Sequence, residues 1–144
     1  MKSLYLVIVG CGRLGSHLAN LLSRIGHRVV VIDKNPDSFH KLAAESFSGT
    51  RIEGDASEAA VLRQARVDLA DLVIAATQAD NVNLMVASVA RRVFRVEHVM
   101  ARVYDPARES MYHELGLETV CPTLIAGEAF LDLVRRASGN GGGR

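Results

Sequence analysis

Short apolar runs alternate with amphipathic helical patterns six times along the chain, and this alternation limits the fold more than any other feature. The first of these runs, residues 4–9, is six residues long and consists mostly of Val, Ile and Leu, which is typical of a strand buried on both faces. Buried strands that alternate with helices predict a parallel sheet, in which each connection is a right-handed crossover.

The element boundaries follow from Gly, Pro and capping residues. Strands are predicted at 4–9, 28–32, 50–53, 71–75, 98–102 and 117–121. Helices are predicted from the glycine loop to residue 25, from Pro36 to about Ser46, after caps at Ser57 and Asp80, from Pro106 to near Gly116, and from Pro122 to about Ala137. The predicted buried stripes are Leu14, Leu18, Leu21, Leu22 and Ile25 on the first helix, and Val82, Met85, Val86, Val89 and Val93 on the helix after Asp80.

The predicted fold is α/β: a doubly wound (Rossmann) six-stranded parallel sheet with helices on both faces, in a single domain. We expect this domain to span residues 1–138, followed by a flexible glycine-rich tail at 139–144.

A glycine-rich loop, residues 10–15, follows the first predicted strand and opens the first helix. It reads Gly-Cys-Gly-Arg-Leu-Gly, which is the pattern G-x-G-x-x-G. Gly10 permits a tight turn, Gly12 lets a diphosphate approach the backbone, and Gly15 allows the helix to pack closely on the sheet. The N–H groups at the start of the helix then predict a phosphate-binding site.

Asp33 closes the second predicted strand, where its carboxylate can accept hydrogen bonds from the hydroxyls of a ribose. A carboxylate there repels a 2′-phosphate, which disfavours NADP, although the charge of Lys34 softens this argument. The ribose contact does not separate NAD from ATP, ADP or AMP. Arg13 indicates either recognition of extra negative charge, such as a γ-phosphate, or a solvated arginine on the first helical turn.

Together these motifs resemble the N-terminal lobe of RCK domains, also called KTN or TrkA-N domains, which are cytosolic nucleotide-binding regulators of potassium channels and transporters. The similarity extends from residue 4 to about residue 135. The matching stretches are 8–15, 31–34, 53–56, 75–77 with 80–83, 101–103, and 115–117 through 120–122.

The resemblance implies a role for each motif. The three loop glycines would hold phosphates, Asp33 the ribose, and Asp55 with Ala56 would border the adenine. Arg13 would reach a terminal phosphate, either within its own subunit or from a neighbouring one, and Arg102 would face the phosphate site. The full set of expected nucleotide-binding residues is Gly10, Cys11, Gly12, Arg13, Leu14, Gly15, Asp33, Lys34, Asp55, Ala56, Ala76, Thr77 and Arg102. From local pattern alone, a helix-capping role for Asp55 and a surface position for Arg102 stay open.

Two departures from the family pattern matter. Many relatives carry an acid after the proline of the sixth-strand motif, and in some of them it helps to hold a cation. This chain has Thr123 there, so we predict no metal site. The second lobe of these domains is also missing from the sequence, which leaves a one-lobe protein, a truncated chain or a lobe paired with a separate subunit as alternatives.

The predicted partners follow from charge, from apolar patterning and from the resemblance. The net charge of +1 and the lack of Trp give no reason to expect nucleic acid, and no apolar run approaches a membrane span. The last predicted helix carries Ala126, Phe130, Leu133, Val134 and Ala137 on one stripe, with Leu124 and Leu131 outside it. Apolar residues on more than one side need more than one covering surface, unless one sheet face and the adjacent loops bury both stripes. The resemblance implies that a second copy supplies this surface, in a homodimer or a ring of dimers. The resemblance implies a membrane-embedded potassium channel or transporter subunit as partner, and a cytoplasmic location at the inner face of the membrane through that partner.

The leading hypothesis is a cytosolic nucleotide-sensing regulatory domain of a potassium uptake or channel system that binds NAD(H) or ATP/ADP and catalyses no reaction. The sequence has no nucleophile elbow, no H-E-x-x-H and no close-spaced metal set of histidines. One alternative is the cofactor domain of an NAD-dependent oxidoreductase that lacks its substrate part. A second alternative is a structural subunit with a vestigial site.

Overall fold

A computed structural model describes residues 2–139 and contains the six-stranded parallel sheet that the sequence predicts. The strands are β1 (Tyr5–Val9), β2 (Arg28–Asp33), β3 (Thr50–Glu53), β4 (Leu72–Ala75), β5 (His98–Arg102) and β6 (Glu118–Val120). Their order across the sheet is β3-β2-β1-β4-β5-β6. Successive strands are added outward on one side from β1 to β3 and on the other side from β4 to β6, so the strand order reverses between β1 and β4. Doubly wound folds bind ligands at such a switch point.

Between residues 2 and 139, five α-helices accompany the sheet. They are α1 (Arg13–Arg24), α2 (Ala59–Gln64), α3 (Asp80–Arg92), α4 (Glu109–Glu114) and α5 (Pro122–Ala137). The first lies on one face of the sheet, where it covers a core that includes Leu6, Ile8, Val29 and Val31. Helices α2, α3 and α4 cover the opposite face, whose core includes Val7, Val9, Val73 and Val99. The prediction of helices on both faces is therefore confirmed.

The predicted second helix is wrong beyond its first turns. A 3₁₀ helix spans Pro36–Lys41, and the backbone then turns extended at Leu42. The side chain of Asn20 on α1 explains the change, because its amide donates to the Lys41 carbonyl (3.1 Å) and its oxygen accepts from the Ala43 N–H (3.0 Å). A side chain on α1 thus satisfies backbone groups that a continued helix would have paired.

Two predicted helix caps are also wrong. Ser57 lies two residues before α2, and its N–H donates to Oδ1 of Asp55 (2.9 Å). Asp80 is the first residue of α3, but its carboxylate accepts from the N–H groups of Tyr104 (2.7 Å) and Asp105 (3.1 Å). In both cases a carboxylate fixes a loop at the sheet edge.

The predicted buried stripes of α1 and α3 are partly wrong. Helix α1 buries small residues, namely Gly15, Ser16, Ala19 and Ser23, and leaves Leu21 and Ile25 exposed. Helix α3 buries Asn83, Val86, Ala87 and Ala90, and leaves Met85 and Val93 exposed. The reason is close approach: small side chains bring a helix nearer to the sheet than leucines allow, so the longer residues lie at the flanks.

Helix α5 extends the fold beyond the packed layers. None of its residues is buried, and its exposed apolar side chains are Leu124, Ile125, Phe130, Leu131, Leu133 and Val134. No helix between residues 2 and 139 is long and apolar enough to cross a membrane. Of the predicted flexible tail, residues 140–144 lie outside the described residues.

Candidate functional site

A cavity of about 740 Å³ opens at the carboxyl edge of the sheet, where the loops after β1 to β5 meet. This is the edge at which open α/β sheets bind ligands, and the volume is within the range of small-molecule and cofactor sites. The lining includes backbone and side chains from five separate loops, so the fold alone brings together residues that are distant in sequence.

The glycine loop forms the centre of this cavity. Gly10 has a φ of +103°, and a Cβ there would lie 2.9 Å from the Ala76 carbonyl oxygen and from the Thr77 nitrogen. A Cβ on Gly15 would lie 1.8 Å from the Gly10 carbonyl oxygen, whereas one on Gly12 would meet no atom within 4 Å. Gly10 and Gly15 are therefore required by packing, and Gly12 leaves open space beside the start of α1, where backbone N–H groups favour an anion.

Asp33 is held in place by two backbone groups. The Cys11 N–H donates to its Oδ2 (2.7 Å) and the Asn35 N–H donates to its Oδ1 (2.8 Å). Because a carboxylate has about four lone-pair sites, two acceptor positions stay available for the hydroxyls of a ribose. These bonds also tie the end of β2 to the glycine loop.

Cys11 contributes its backbone N–H but not its side chain. The thiol is fully buried, and its Sγ lies 3.4 Å from the Ser38 carbonyl oxygen. Burial, with a smaller effect from the charge of Asp33, raises the pKa of this thiol, which keeps it protonated.

Asp55 and Ala56 follow β3 and line the end of the cavity near Asp33. Hydrogen bonds from Ser57 hold the pKa of the Asp55 carboxyl below its usual value, so this group is ionised at neutral pH. Ala56 is buried and presents a small apolar surface there. Lys34 lines the same end of the cavity.

Asn83 joins the loops that follow β4 and β5. It is fully buried, its Oδ1 accepts from the N–H (2.9 Å) and hydroxyl (2.7 Å) of Thr77, and its amide donates to the carbonyls of Thr77 (3.0 Å) and Arg102 (3.0 Å). The side chain thus satisfies the backbone of two cavity loops at once.

Arg102 is the cation at the β5 side of the cavity. Its guanidinium carbon lies 4.1 Å from the centre of the Tyr104 ring, a cation–π distance. Among the described residues, its Nε is a buried side-chain nitrogen without a hydrogen-bond partner. Arg102 also lines the cavity, and a guanidinium is suited to an anionic acceptor such as a phosphate oxygen.

The structure brings together most of the residues expected from the sequence. Gly10, Gly12, Arg13, Asp33, Lys34, Asp55, Ala56, Ala76, Thr77 and Arg102 line the cavity. Cys11, Leu14 and Gly15 do not: the Cys11 side chain packs on the α1 side of the sheet, and Gly15 packs against Gly10. Sequence reasoning missed further lining residues, among them Ser38, Lys41, Gln78 and Tyr104. The one sequence signal for them is that they follow a predicted strand.

The donors and acceptors of the cavity fit a ribose and its phosphates. The open space beside Gly12 admits a diphosphate, Arg102 offers a cation, and Asp33 offers acceptors for a ribose. Within residues 2–139, no group of three or more His, Cys, Asp or Glu side chains could hold a metal ion.

The chain is similar in sequence to Trk system potassium uptake proteins. The chain is 45% identical over 117 residues to the Trk system potassium uptake protein TrkA of Streptomyces coelicolor, and the match covers 81% of this chain and 52% of that protein. It is 31% identical over 112 residues to a TrkA homolog of Pyrococcus abyssi, with 78% of this chain and 49% of that protein covered. The chain therefore spans about half the length of these relatives.

Three solved structures share the fold. The TrkA-N domain of the inner membrane protein ybaL from Escherichia coli has a TM-score of 0.80 at 20% identity, covering 92% of this chain and 97% of that one. The RCK domain of GsuK has a TM-score of 0.81 at 21% identity, covering 96% and 29%. The Kef C-terminal domain of Shewanella denitrificans, in its AMP-bound form, has a TM-score of 0.76 at 23% identity, covering 96% and 82%.

The model of the TrkA-N domain family matches residues 6–123, which include the whole cavity lining and every strand except the first residue of β1. The chain belongs to the TrkA-N domain family.

Proposed function

We propose that this chain binds an adenine nucleotide, NAD(H) or ATP/ADP, in the cavity at the carboxyl edge of its sheet, and that residues 1–138 are the binding domain. The observation that carries the proposal is the open space beside Gly12 at the start of α1, next to the fixed Asp33 carboxylate. In this arrangement the phosphates lie on the glycine loop and the ribose hydroxyls donate to Asp33. Asp55 and Ala56 border the base, and Arg13 and Arg102 face the phosphates.

Nucleotides bound to similar folds support the choice of ligand. The Kef domain was solved with AMP, and the GsuK channel with NAD and with ADP, at TM-scores of 0.76, 0.68 and 0.67 to this chain. These ligands share an adenosine and at least one phosphate, which are the parts that Asp33 and the glycine loop can recognise.

We further propose a regulatory role without catalysis. The named relatives belong to potassium uptake systems, so the bound nucleotide would control a membrane-embedded potassium channel or transporter subunit from the cytoplasmic side. Regulation requires that one nucleotide favours one arrangement of the protein over another. The two arrangements would therefore differ in their affinity for a given nucleotide, and the protein would bind the nucleotide without converting it.

A homodimer through α5 completes the proposal. The helix has 16 residues, none of them buried, and an isolated helix of that length is only marginally stable in water. Its exposed apolar residues, including Phe130 and Val134, need a covering surface. A second copy of the chain supplies one, and the same interface can pass a nucleotide-dependent change to a partner.

Calorimetric titration with AMP, ADP, ATP, NAD and NADH tests the binding proposal, and we expect at least one to bind. Gly12→Ala places a methyl group in the open space, so it should weaken binding at least about tenfold (~1.4 kcal/mol) while the thermal unfolding midpoint stays unchanged. Gly127→Ala, in open space on α5, is the matched control and should bind as the wild type does. Failure of all five nucleotides to bind would overturn the proposal.

A further inference from the structure

The order of the strands sets an order of groups along the cavity. Asp33 and Asp55 follow β2 and β3 at one side, the glycine loop follows β1 in the centre, and Arg102 follows β5 at the other side. If Asp33 binds the ribose and the loop binds the first phosphate, each additional phosphate extends toward β4 and β5. The β5 side of the cavity therefore distinguishes a nucleoside diphosphate from a monophosphate.

Arg102 is the cation on this side, and Tyr104 holds its guanidinium. Four cationic side chains line the cavity: Arg13, Lys34, Lys41 and Arg102. The two lysines belong to the segment after β2, and Arg13 begins α1. Within the described part of the chain, no carboxylate lies within ion-pair distance of Arg102, and its guanidinium stacks on the Tyr104 ring instead. A guanidinium that lies over an aromatic ring contacts it through its face, so the N–H groups at its edge stay available for an anion.

Tyr104 is itself fixed at both of its backbone groups. Its N–H donates to Oδ1 of Asp80 (2.7 Å), and its carbonyl accepts from the hydroxyl of Thr123 (3.3 Å) on the first turn of α5. Asn83 fixes the carbonyl of Arg102 (3.0 Å). The ring therefore has a defined position relative to the glycine loop, and it can pre-orient the flexible arginine before a ligand arrives.

We propose that Tyr104 is a positioning residue that presents the Arg102 guanidinium to the second phosphate of a bound nucleotide and so sets the preference for ADP over AMP. The inference rests on the proposed function, and it adds a determinant of phosphate number. Tyr104 acts through Arg102, and of these two residues it is Arg102 that contacts the second phosphate.

The test compares the affinities of AMP and ADP for the wild type, Tyr104→Leu and Tyr104→Phe by calorimetry. The wild type should bind ADP more tightly than AMP. Tyr104→Leu removes the ring and should weaken ADP binding about 2- to 12-fold, the cost of immobilising one flexible side chain on binding, with AMP affinity nearly unchanged. Tyr104→Phe keeps the ring and should retain the wild-type ratio. Tyr104→Met is a second ring-free variant if Tyr104→Leu unfolds.

A double-mutant cycle with Arg102→Gln separates positioning from a general structural effect. In the Arg102→Gln background, Tyr104→Leu should leave the ADP-to-AMP affinity ratio unchanged, because the group that it positions is gone. Equal weakening of AMP and ADP, or an unchanged ratio in Tyr104→Leu, would overturn the inference and leave the proposed function intact. A wild type that binds neither nucleotide would overturn both.

Discussion

At the scale of single residues, the three glycines of the loop differ in what they require. Gly10 adopts a positive φ, Gly15 lies against the Gly10 carbonyl, and Gly12 faces open space. The pattern G-x-G-x-x-G does not reveal this division of roles, because it depends on the distance between α1 and the sheet. Two of the glycines thus stabilise the fold, and the third leaves room for a ligand.

This division predicts that the same substitution, Gly to Ala, lowers the stability of the fold at Gly15 and weakens nucleotide binding at Gly12. Gly15→Ala places a Cβ 1.8 Å from a backbone oxygen, so α1 must move away from the sheet. We expect the free energy of unfolding in urea to fall by about 2 kcal/mol or more. Gly12→Ala should leave this free energy unchanged and affect binding alone. Equal stability of the two variants would contradict the packing that the structure assigns to Gly15.

At the scale of elements, the sequence predicts every strand to within one residue at each end and places the glycine loop and Asp33 correctly. These features depend on local patterns: apolar runs, glycine spacing and an acid after a strand. The prediction of the second helix is wrong because the side chain of Asn20, on α1, forms hydrogen bonds with the backbone of residues 41 and 43. The buried stripes of α1 and α3 shift because close packing selects Ala19 and Ala87 over larger neighbours. The roles of Tyr104 and Asn83 depend on contacts across distant loops, so no local pattern could predict them.

Asn83 gives the sharpest prediction at this scale. Asn83→Ala removes four hydrogen bonds and leaves polar groups of Thr77 and Arg102 without their partner in the interior. We expect the free energy of unfolding to fall by about 2–4 kcal/mol, measured by urea denaturation. The exposed neighbour Asn81, which accepts from Arg108 (2.9 Å), is the matched control, and Asn81→Ala should cost less than about 1 kcal/mol. Similar losses for both variants would show that the buried network does not link the two loops.

At the scale of the whole molecule, the two cores, the cavity and α5 occupy different regions of the fold. The two cores lie on the two faces of the sheet, the cavity lies at its carboxyl edge, and α5 lies outside both cores. Thr123, on the first turn of α5, donates to the carbonyl of Tyr104, which lines the cavity. The proposed binding site and the proposed interface are thus joined through one short segment, and a shift of Tyr104 would reach α5 directly.

The last prediction concerns association through α5. Replacing both Phe130 and Val134 by Asp puts charges on the exposed apolar surface, and neither residue packs against the core, so each protomer should stay folded. If two copies pair through this helix, burying these side chains contributes about 1.5–3 kcal/mol each, and the double variant should be a monomer at concentrations where the wild type is a dimer. Sedimentation velocity measures the difference. Arg136→Asp introduces the same side chain at a polar position of α5 and should leave the wild-type assembly intact. A wild type that sediments as a monomer at the highest attainable concentration would rule out this interface, because two copies would then not pair through α5.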